Sequence, residues 1–431
     1  MSQTPSFLHP RDELQQCMDR IYRYRMTTTS GGNLSIRGGD GEVWITPARV
    51  DKGALRRSDI VEVRADGSRH GDAPPSSELP LHQAIYRARP DVGAILHAHP
   101  VALVAFSVVH QVPDTRVLHQ AWRICGEAGF AAYRLPGSAE LGESIVAALG
   151  ADRSCVILEN HGVVTVGRDL AEAFRRFETF EFVGKTIVKA RLLERPISQL
   201  TDDDIAAAAR REPLPQAPER PGRPSTGELE LRAQLGEFVR RGYRQRLFIS
   251  THGTFSARLA EDAFVITPHH ADRAGLDAAD LVLIAEGARE AGSHPSYAAA
   301  LHRELYRRHP EIQAIVNAAP VNATAFSLVG EAPDTRTIPE SHVVLGTPSF
   351  APFRLQFGDY ERLAASIGPE RPAVVNANSG VLVVGGSILQ AFDRLEVLES
   401  TAEALLNARP LGALAPMSEA AIAELDAAFP R

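Results

Sequence analysis

Two histidines one residue apart, His97 and His99, are the first side chains in this sequence that could do chemistry together. They close an apolar run that begins at Ala94 and stops at Pro100. Side chains at positions i and i+2 of a strand leave the same face, so the two imidazoles can converge on one metal ion where the strand ends. Ordinary polar residues at a strand end show the same pattern, so this interpretation depends on further ligands.

Two further candidate ligands flank the pair in sequence. Glu78 lies upstream, and His161 lies downstream in a turn between two apolar runs. Three imidazoles and one carboxylate suit a divalent transition metal, with a position left open if the carboxylate swings away. We predict that His97, His99, His161 and Glu78 hold a metal ion and that Glu78, displaced by substrate, acts as general base. His82, one turn beyond Glu78, is expected to be a surface histidine, the alternative being a support for the metal site.

Two segments rich in glycine and serine are candidate anion-binding loops. Gly32 and Asn33 belong to the loop Ser-Gly-Gly-Asn, whose backbone N–H groups could point at an anion. A tight turn between a helix and a strand would have the same composition. Ser76 and Ser77 precede a segment with helical spacing, and the N-terminus of a helix favours an anion.

Five motifs occur in an order that resembles the class II aldolase/adducin family. They are Ser-Gly-Gly-Asn (30–33), Ile-Thr-Pro (45–47), Ser-Ser-Glu (76–78), His-x-His (97–99) and His-Gly (161–162). The family includes fuculose-phosphate-type aldolases, ribulose-phosphate 4-epimerases, metal-dependent aromatic-acid decarboxylases and the non-catalytic adducins. The resemblance implies an α/β fold, an α/β/α sandwich with a mainly antiparallel central sheet. It also implies that the glycine loop and the paired serines bind a substrate phosphate. Zinc is the first choice of metal, and manganese, cobalt or iron also suit these ligand types.

The sequence departs from the family pattern at two places. Where the aldolases usually have Thr-Gly or Ser-Gly after Ile-Thr-Pro, this chain has Ala48-Arg49. Arginine binds planar carboxylates through two parallel hydrogen bonds, so Arg49 fits an acid substrate, although it could equally turn outward to solvent. The family aldolases also use a tyrosine after the His-x-His strand, and no tyrosine occurs between Pro100 and Ala132. His119 is the candidate replacement as proton donor or substrate contact.

The second half of the chain repeats the first at a spacing of about 220 residues. Residues 311–336 align with 91–116 without a gap and share 13 of 26 positions. Every proposed ligand is lost from the second copy: Glu78 becomes Ala298, His97 becomes Asn317, His99 becomes Ala319 and His161 becomes Ser379. Loss of all four together is expected if they act as one unit. We therefore predict the same fold twice, with a metal site in the first copy alone.

The domain organisation follows from this repeat. We predict a class II aldolase-like, metal-binding catalytic domain at 1–195, a linker at 196–226 and a degenerate domain without a metal site at 227–431. The linker is inferred from its prolines and its polar, arginine-containing composition. The family resemblance implies fourfold-symmetric tetramers, so two tandem chains would form a homodimer that mimics a tetramer, or a larger homo-oligomer.

Composition excludes several kinds of partner. A net charge of −7 offers no general basic field for nucleic acid, and no polybasic cluster or long apolar stretch indicates a membrane. Three widely spaced cysteines and the absence of an export signal at the N-terminus predict a cytoplasmic protein with reduced thiols.

We therefore expect a metal-dependent carbon–carbon lyase, a decarboxylase or an aldolase, that acts on a small hydroxy or keto acid or a sugar-derived molecule. The main alternative is a non-catalytic, adducin-like binding or scaffold protein, against which the complete ligand set of the first copy argues. A sugar-phosphate epimerase is a further alternative, although family 4-epimerases carry aspartate where Glu78 stands. An iron oxygenase would also be compatible with these ligand types.

Overall fold

The computed structural model describes residues 8–210, 214–217 and 223–430. The chain divides into two compact units. The first ends at Lys185, and the second comprises Arg116–Gln120 together with the chain from Thr186 onward. Among the described residues, no helix is long and apolar enough to cross a membrane.

The first half of the chain builds one eight-stranded sheet. Its strands are β1 (Asn33–Arg37), β2 (Val43–Ile45), β3 (Val61–Val63), β4 (Arg69–His70), β5 (Ala94–Ala98), β6 (Gly129–Ala131), β7 (Cys155–Leu158) and β8 (Gly162–Gly167). The order across the sheet is β4-β3-β2-β1-β5-β8-β7-β6, which puts β5 in the interior between β1 and β8. All neighbours are antiparallel except β6 and β7, so the sheet is mainly antiparallel, as the family resemblance implied.

Helices cover both faces of this sheet. They are α1 (Pro10–Arg23), α2 (Leu79–Ala88), α3 (Val101–Val108), α4 (His119–Cys125), α5 (Ala139–Leu149) and α6 (Leu170–Arg191). On one face, leucines and isoleucines of α2 and α5 pack with alternate strand residues such as Ile95 and Val164. Leu34 and Leu96 point to the other face, because successive side chains of a strand alternate, and they are also fully buried. The result is an α/β/α sandwich.

Helix starts follow local rules of sequence. Ser138 accepts a hydrogen bond from the backbone N–H of Leu141 and so caps α5, as its position before the helix predicts. Pro10 occupies the first position of α1, where the N–H that proline lacks would have no partner within the helix. These two helices therefore begin where the sequence alone would place their first turns.

The second half repeats this architecture. A helix α7 (Asp202–Ala209) comes first in the chain. The strands are β9 (Thr254–Ala260), β10 (Ala263–Ile266), β11 (Val282–Ala285), β12 (Ala288–Arg289), β13 (Ala314–Ala318), β14 (Ser349–Ala351), β15 (Ala373–Asn376) and β16 (Gly380–Gly385). The helices are α8 (Thr226–Arg244), α9 (Ala299–Arg308), α10 (Val321–Val329), α11 (Pro339–Leu345), α12 (Tyr360–Ala365), α13 (Ile388–Ala408) and α14 (Glu419–Ala428). The strand order, β12-β11-β10-β9-β13-β16-β15-β14, matches the first sheet position for position.

The segment predicted to be a linker contains ordered structure. Helix α7 lies within it, and Thr201 and Asp204 form a reciprocal cap at its start. Leu200 and Ala208 pack against Phe353 in a small apolar cluster. Parts of the predicted linker, 211–213 and 218–222, lie outside the described residues. The local signal for α7 is this capping pattern, which an interpretation based on the prolines alone misses.

Candidate metal and catalytic site

Strand β5 delivers the first two histidines. His97 pairs with Asn33 of β1 and with Val164 of β8, so it lies in the middle of the sheet and is fully buried. His99 follows one residue after the strand. The Nε2 atoms of His97 and His99 lie 3.1 Å apart. The strand geometry therefore brings the two imidazoles together, as the spacing predicted.

The third histidine comes from the turn between β7 and β8. Asn160 takes a left-handed backbone conformation, with φ +53°, and the backbone N–H of His161 donates to the carbonyl of Leu158. This turn places the His161 ring 4.8 Å from that of His97 and 5.0 Å from that of His99, centroid to centroid. One ligand nitrogen from each of the three histidines lies within 4.8 Å of the others. The three histidines therefore form a group that could hold a metal ion.

Glu78 stands directly before α2 and next to the histidines. Its Oε2 lies 3.1 Å from His97 Nε2 and accepts a hydrogen bond of 2.7 Å from Asn33 Nδ2. Its Oε1 lies 3.7 Å from His161 Nε2 and is buried without a hydrogen-bond partner among the described residues. Burial alone would raise the pKa of Glu78, but His97, Asn33 and His161 together hold that pKa far below its usual range. The carboxylate is therefore ionised at neutral pH.

At neutral pH, two of the three imidazoles are in the neutral form that binds a metal ion. His97 Nδ1 donates to the carbonyl of Val163 at 3.0 Å, and because a carbonyl only accepts, Nε2 is the nitrogen that faces the site. Burial, followed by the charge of His97, lowers the pKa of His99 to about 3 and that of His161 to about 4. Burial opposes protonation of His97 as well, but the Glu78 carboxylate outweighs it and raises the pKa of His97.

These residues fit a divalent cation. The set combines three convergent imidazoles, two of them neutral near pH 7, with a carboxylate oxygen that is buried and lacks a hydrogen-bond partner among the described residues. His97, His99 and His161 are the residues that would hold the ion. Glu78 lies beside them, close enough to His97 and His161 for its negative charge to offset part of the positive charge of a bound cation.

The loop that carries Arg49 is hydrogen-bonded to the loop that carries Ser76 and Ser77. Backbone hydrogen bonds from Ala48 to Pro74 and from Ser76 to Thr46 join the loop after β2 to the loop before α2. Arg49 is exposed and has φ +58°. Ser77 is also exposed, whereas Ser76 is buried and its Oγ accepts from the backbone N–H of Glu78. Arg49 and Ser77 are therefore polar side chains of these loops that face solvent.

The glycine loop packs directly against the histidines. Gly32 has φ +73°, and a Cβ there would lie 2.9 Å from Thr27 Oγ1 and 3.0 Å from the carbonyl oxygen of His97. Only glycine fits this conformation and this space. The Asn33 side chain is engaged on both sides: Nδ2 donates to Glu78 and Oδ1 accepts from His82.

His119 and the three clustered histidines are assigned to different compact units of the chain. His119 belongs to the second compact unit, whereas the histidine ligands and Glu78 belong to the first. Its ring lies 5.0 Å from that of Phe357 and 5.8 Å from that of Phe353, centroid to centroid. A proton-donor role for His119 stays a prediction.

In the second copy, the positions that match the ligands hold no such cluster among the described residues. Ser379 Oγ donates to Gln356 Oε1 at 2.9 Å. Thr254, which replaces Asn33, shares a hydrogen bond of 2.6 Å with Ser296. Within the described parts of the chain, the three histidines of the first copy are the group that could bind a metal ion.

The prediction that His82 is a surface histidine is wrong. Its side chain is fully buried and hydrogen-bonded at both ring nitrogens, to Asn33 and to Ser35. One signal in the sequence marks it: the second copy keeps a histidine at the matching position, His302, although it loses the residue that matches Glu78. A histidine that is present in both copies is better explained by a role in the shared fold than by a position on the surface.

Comparison with known proteins places this geometry in context. The sequence profile of the Class II Aldolase and Adducin N-terminal domain matches residues 12–188 and again 233–406. An L-fuculose phosphate aldolase of Methanocaldococcus jannaschii is 32% identical over 177 residues, which cover 41% of this chain and 94% of that protein. A 5-methylthioribulose-1-phosphate/5-deoxyribulose-1-phosphate aldolase of Rhodospirillum rubrum is 36% identical over 160 residues, 35% of this chain and 70% of that protein.

A decarboxylase and a solved structure are similar as well. A 3-oxo-tetronate 4-phosphate decarboxylase of Escherichia coli strain K12 is 31% identical over 201 residues, 46% of this chain and 93% of that protein. The crystal structure of YgbL, described as a putative aldolase/epimerase/decarboxylase from Escherichia coli, is 29% identical, with a TM-score of 0.43 over 46% of this chain and 95% of that chain.

Proposed function

The chain belongs to the Class II Aldolase and Adducin N-terminal domain family, and from this premise we propose that its first copy is a metal-dependent carbon–carbon lyase. The observation that carries the proposal is the convergence of three imidazoles beside an ionised carboxylate. The relatives named above are aldolases and a decarboxylase. Both reactions leave negative charge on an oxygen next to the broken bond, so one site can support either.

The proposed chemistry divides between the ion and the chain. When bound, a divalent ion supplies positive charge that stabilises the negative charge developing on a substrate oxygen. His97, His99 and His161 are the residues that would hold it. Glu78 accepts a proton from the substrate at Oε1, since Oε2 is engaged by Asn33 and His97. Zinc is the proposed ion, with manganese, cobalt or iron compatible with the same ligands.

We propose that the substrate is small and anionic, either a hydroxy or keto acid or a sugar-derived molecule. Arg49 is exposed in the loop that is hydrogen-bonded to the segment containing Ser76, so its guanidinium is available to a substrate carboxylate. The exposed hydroxyl of Ser77 suits a phosphate or a second carboxylate oxygen.

The second copy is proposed to be structural, and two chains are proposed to assemble as a homodimer or a larger homo-oligomer. The first part of this proposal rests on Asn317, Ala319, Ala298 and Ser379, none of which is a ligand of the kind found in the first copy. The assembly rests on the family resemblance. The cytoplasm is the proposed compartment, and it rests on the argument from cysteine content.

A substrate screen tests the proposed reaction. Zinc-loaded protein is incubated with hydroxy acids, keto acids and sugar phosphates, and release of CO₂ and of aldehyde is measured separately. We expect one kind of product from at least one substrate, loss of activity with a chelator and recovery on adding zinc. Arg49→Ala should raise KM for a carboxylate substrate more than it lowers kcat. A metal-loaded protein that turns over no substrate in the panel would overturn the enzyme proposal and favour a scaffold.

A further inference from the structure

A chain of buried hydrogen bonds runs from the active-site carboxylate into the core of the first copy. Glu78 Oε2 accepts from Asn33 Nδ2 at 2.7 Å, and Asn33 Oδ1 lies 2.5 Å from His82 Nε2. His82 Nδ1 lies 2.7 Å from Ser35 Oγ, which in turn lies 2.7 Å from the hydroxyl of Tyr86. All five side chains are buried. This chain of hydrogen bonds therefore links Glu78 to polar groups that lie inside the core.

The chemistry of the groups sets one direction for every bond in this chain. An ionised carboxylate only accepts, so Asn33 must turn its NH₂ towards Glu78 and its oxygen towards His82. His82 then carries its proton on Nε2 and accepts at Nδ1 from the Ser35 hydroxyl, which accepts from Tyr86. Burial lowers the pKa of His82 to about 3, so the ring is neutral near pH 7 and has one donor and one acceptor.

The second copy provides an internal comparison for this chain. Its inner part is retained: Ser256 Oγ lies 2.8 Å from His302 Nδ1 and 2.8 Å from the Tyr306 hydroxyl. Its outer part is absent, because Thr254 replaces Asn33 and Ala298 replaces Glu78. The Nε2 atom of His302 is accordingly buried without a hydrogen-bond partner among the described residues. The serine–histidine–tyrosine group thus occurs in both copies. Among the described residues, the histidine Nε2 has a hydrogen-bond partner in the first copy and none in the second.

We propose that His82 is a positioning residue for Glu78. Its Nε2–H fixes the Asn33 amide in the orientation that presents Nδ2 to the carboxylate, and this holds Glu78 in place to accept a proton at Oε1. Without that donor, the Asn33 amide is held at one end only, by Glu78, and its buried Oδ1 loses its hydrogen-bond partner. The inference rests on the proposed lyase function only for the role of Glu78, and the orientation of Asn33 is a separate, measurable statement.

The test compares matched variants in the full chain, His82→Phe and His302→Phe. Each removes a hydrogen bond to a buried serine, and His82→Phe also removes the bond to Asn33, so both should lower the unfolding temperature, His82→Phe by more. His82→Phe alone should lower kcat, by about 10- to 100-fold, with the metal content and KM retained. In an Asn33→Ala background, His82→Phe should lower kcat no further, because the amide that it positions is gone.

A second measurement does not depend on activity. The side-chain NH₂ signals of Asn33, identified by their loss in Asn33→Ala, should exchange slowly with solvent in the wild type and faster in His82→Phe. An unchanged exchange rate, unchanged kcat in His82→Phe or additive losses in the double variant would overturn the positioning role. If the wild type is inactive but the exchange result holds, the positioning of Asn33 stands and the lyase proposal fails.

Discussion

Replacement of Glu78 by glutamine separates the carboxylate's charge from its shape. In the structure, Oε2 lies 3.1 Å from His97 Nε2, and at an effective dielectric constant of about 20 a unit positive charge at that nitrogen would attract the carboxylate by roughly 5 kcal/mol before desolvation. Burial of both groups offsets much of this attraction. A glutamine removes the charge but keeps an oxygen that can accept from Asn33 Nδ2.

The expected result is a large loss of turnover with the metal retained. Loss of a general base lowers kcat by about 10²- to 10⁴-fold. Loss of the neighbouring charge should weaken metal affinity by about 10- to 100-fold without abolishing it, because three imidazoles remain. Steady-state kinetics at saturating zinc measure the first effect, and competition with a chelator measures the second. His97→Ala is the comparison variant and should lose metal and activity together.

Two outcomes would refute this reasoning. A Glu78→Gln enzyme whose kcat stays within about twofold of the wild type at full metal occupancy would exclude Glu78 as the base. Complete loss of metal from the same variant would mean that the carboxylate is an indispensable ligand and that the three histidines alone cannot hold the ion.

Two further predictions concern stability. Burial lowers the pKa of His302 to about 3, below the 6.5 of an unfolded chain, so the unfolded state takes up the proton first as pH falls. Stability should therefore decline from about pH 6.5 down to pH 3, with a loss of about 2 kcal/mol by pH 5 from this residue. Urea unfolding at pH 7 and pH 5 should show a smaller decline for His302→Phe, and an equal decline would contradict the assignment. Gly32→Ala should cost about 1–3 kcal/mol, because φ is +73° and the new Cβ would meet Thr27 and the His97 carbonyl. Gly39, where an added Cβ would have no atom within 4 Å, is the control, and equal thermal shifts for Gly39→Ala and Gly32→Ala would contradict the steric argument.

The convergence of the three histidines was predictable from sequence because local geometry places them. A strand fixes the spacing of His97 and His99, and a tight turn between two strands fixes His161. The duplication was equally visible, since the matched stretches share both residues and spacing. The same two-sheet architecture then followed from the family resemblance, and the strand orders of the two halves confirm it.

The contacts around the ligands were not predictable in the same way. Burial of His82 depends on how α2 packs over β1, which brings together residues 47 positions apart in the sequence. The same packing turns the Asn33 side chain towards Glu78. Helix α7 was not predicted, because the neighbouring prolines indicated a linker, although Thr201 and Asp204 form a capping pattern at its start. Side-chain partners across elements require the tertiary structure.

The metal content of the purified full-length protein tests the central claim most directly. After loading with zinc and removal of free metal, elemental analysis should find about one ion per chain in the wild type and close to none in His97→Ala. Two ions per chain would show that the second copy binds metal despite Asn317 and Ser379. An equal zinc content in the wild type and in His97→Ala would show that the three histidines do not form the metal site.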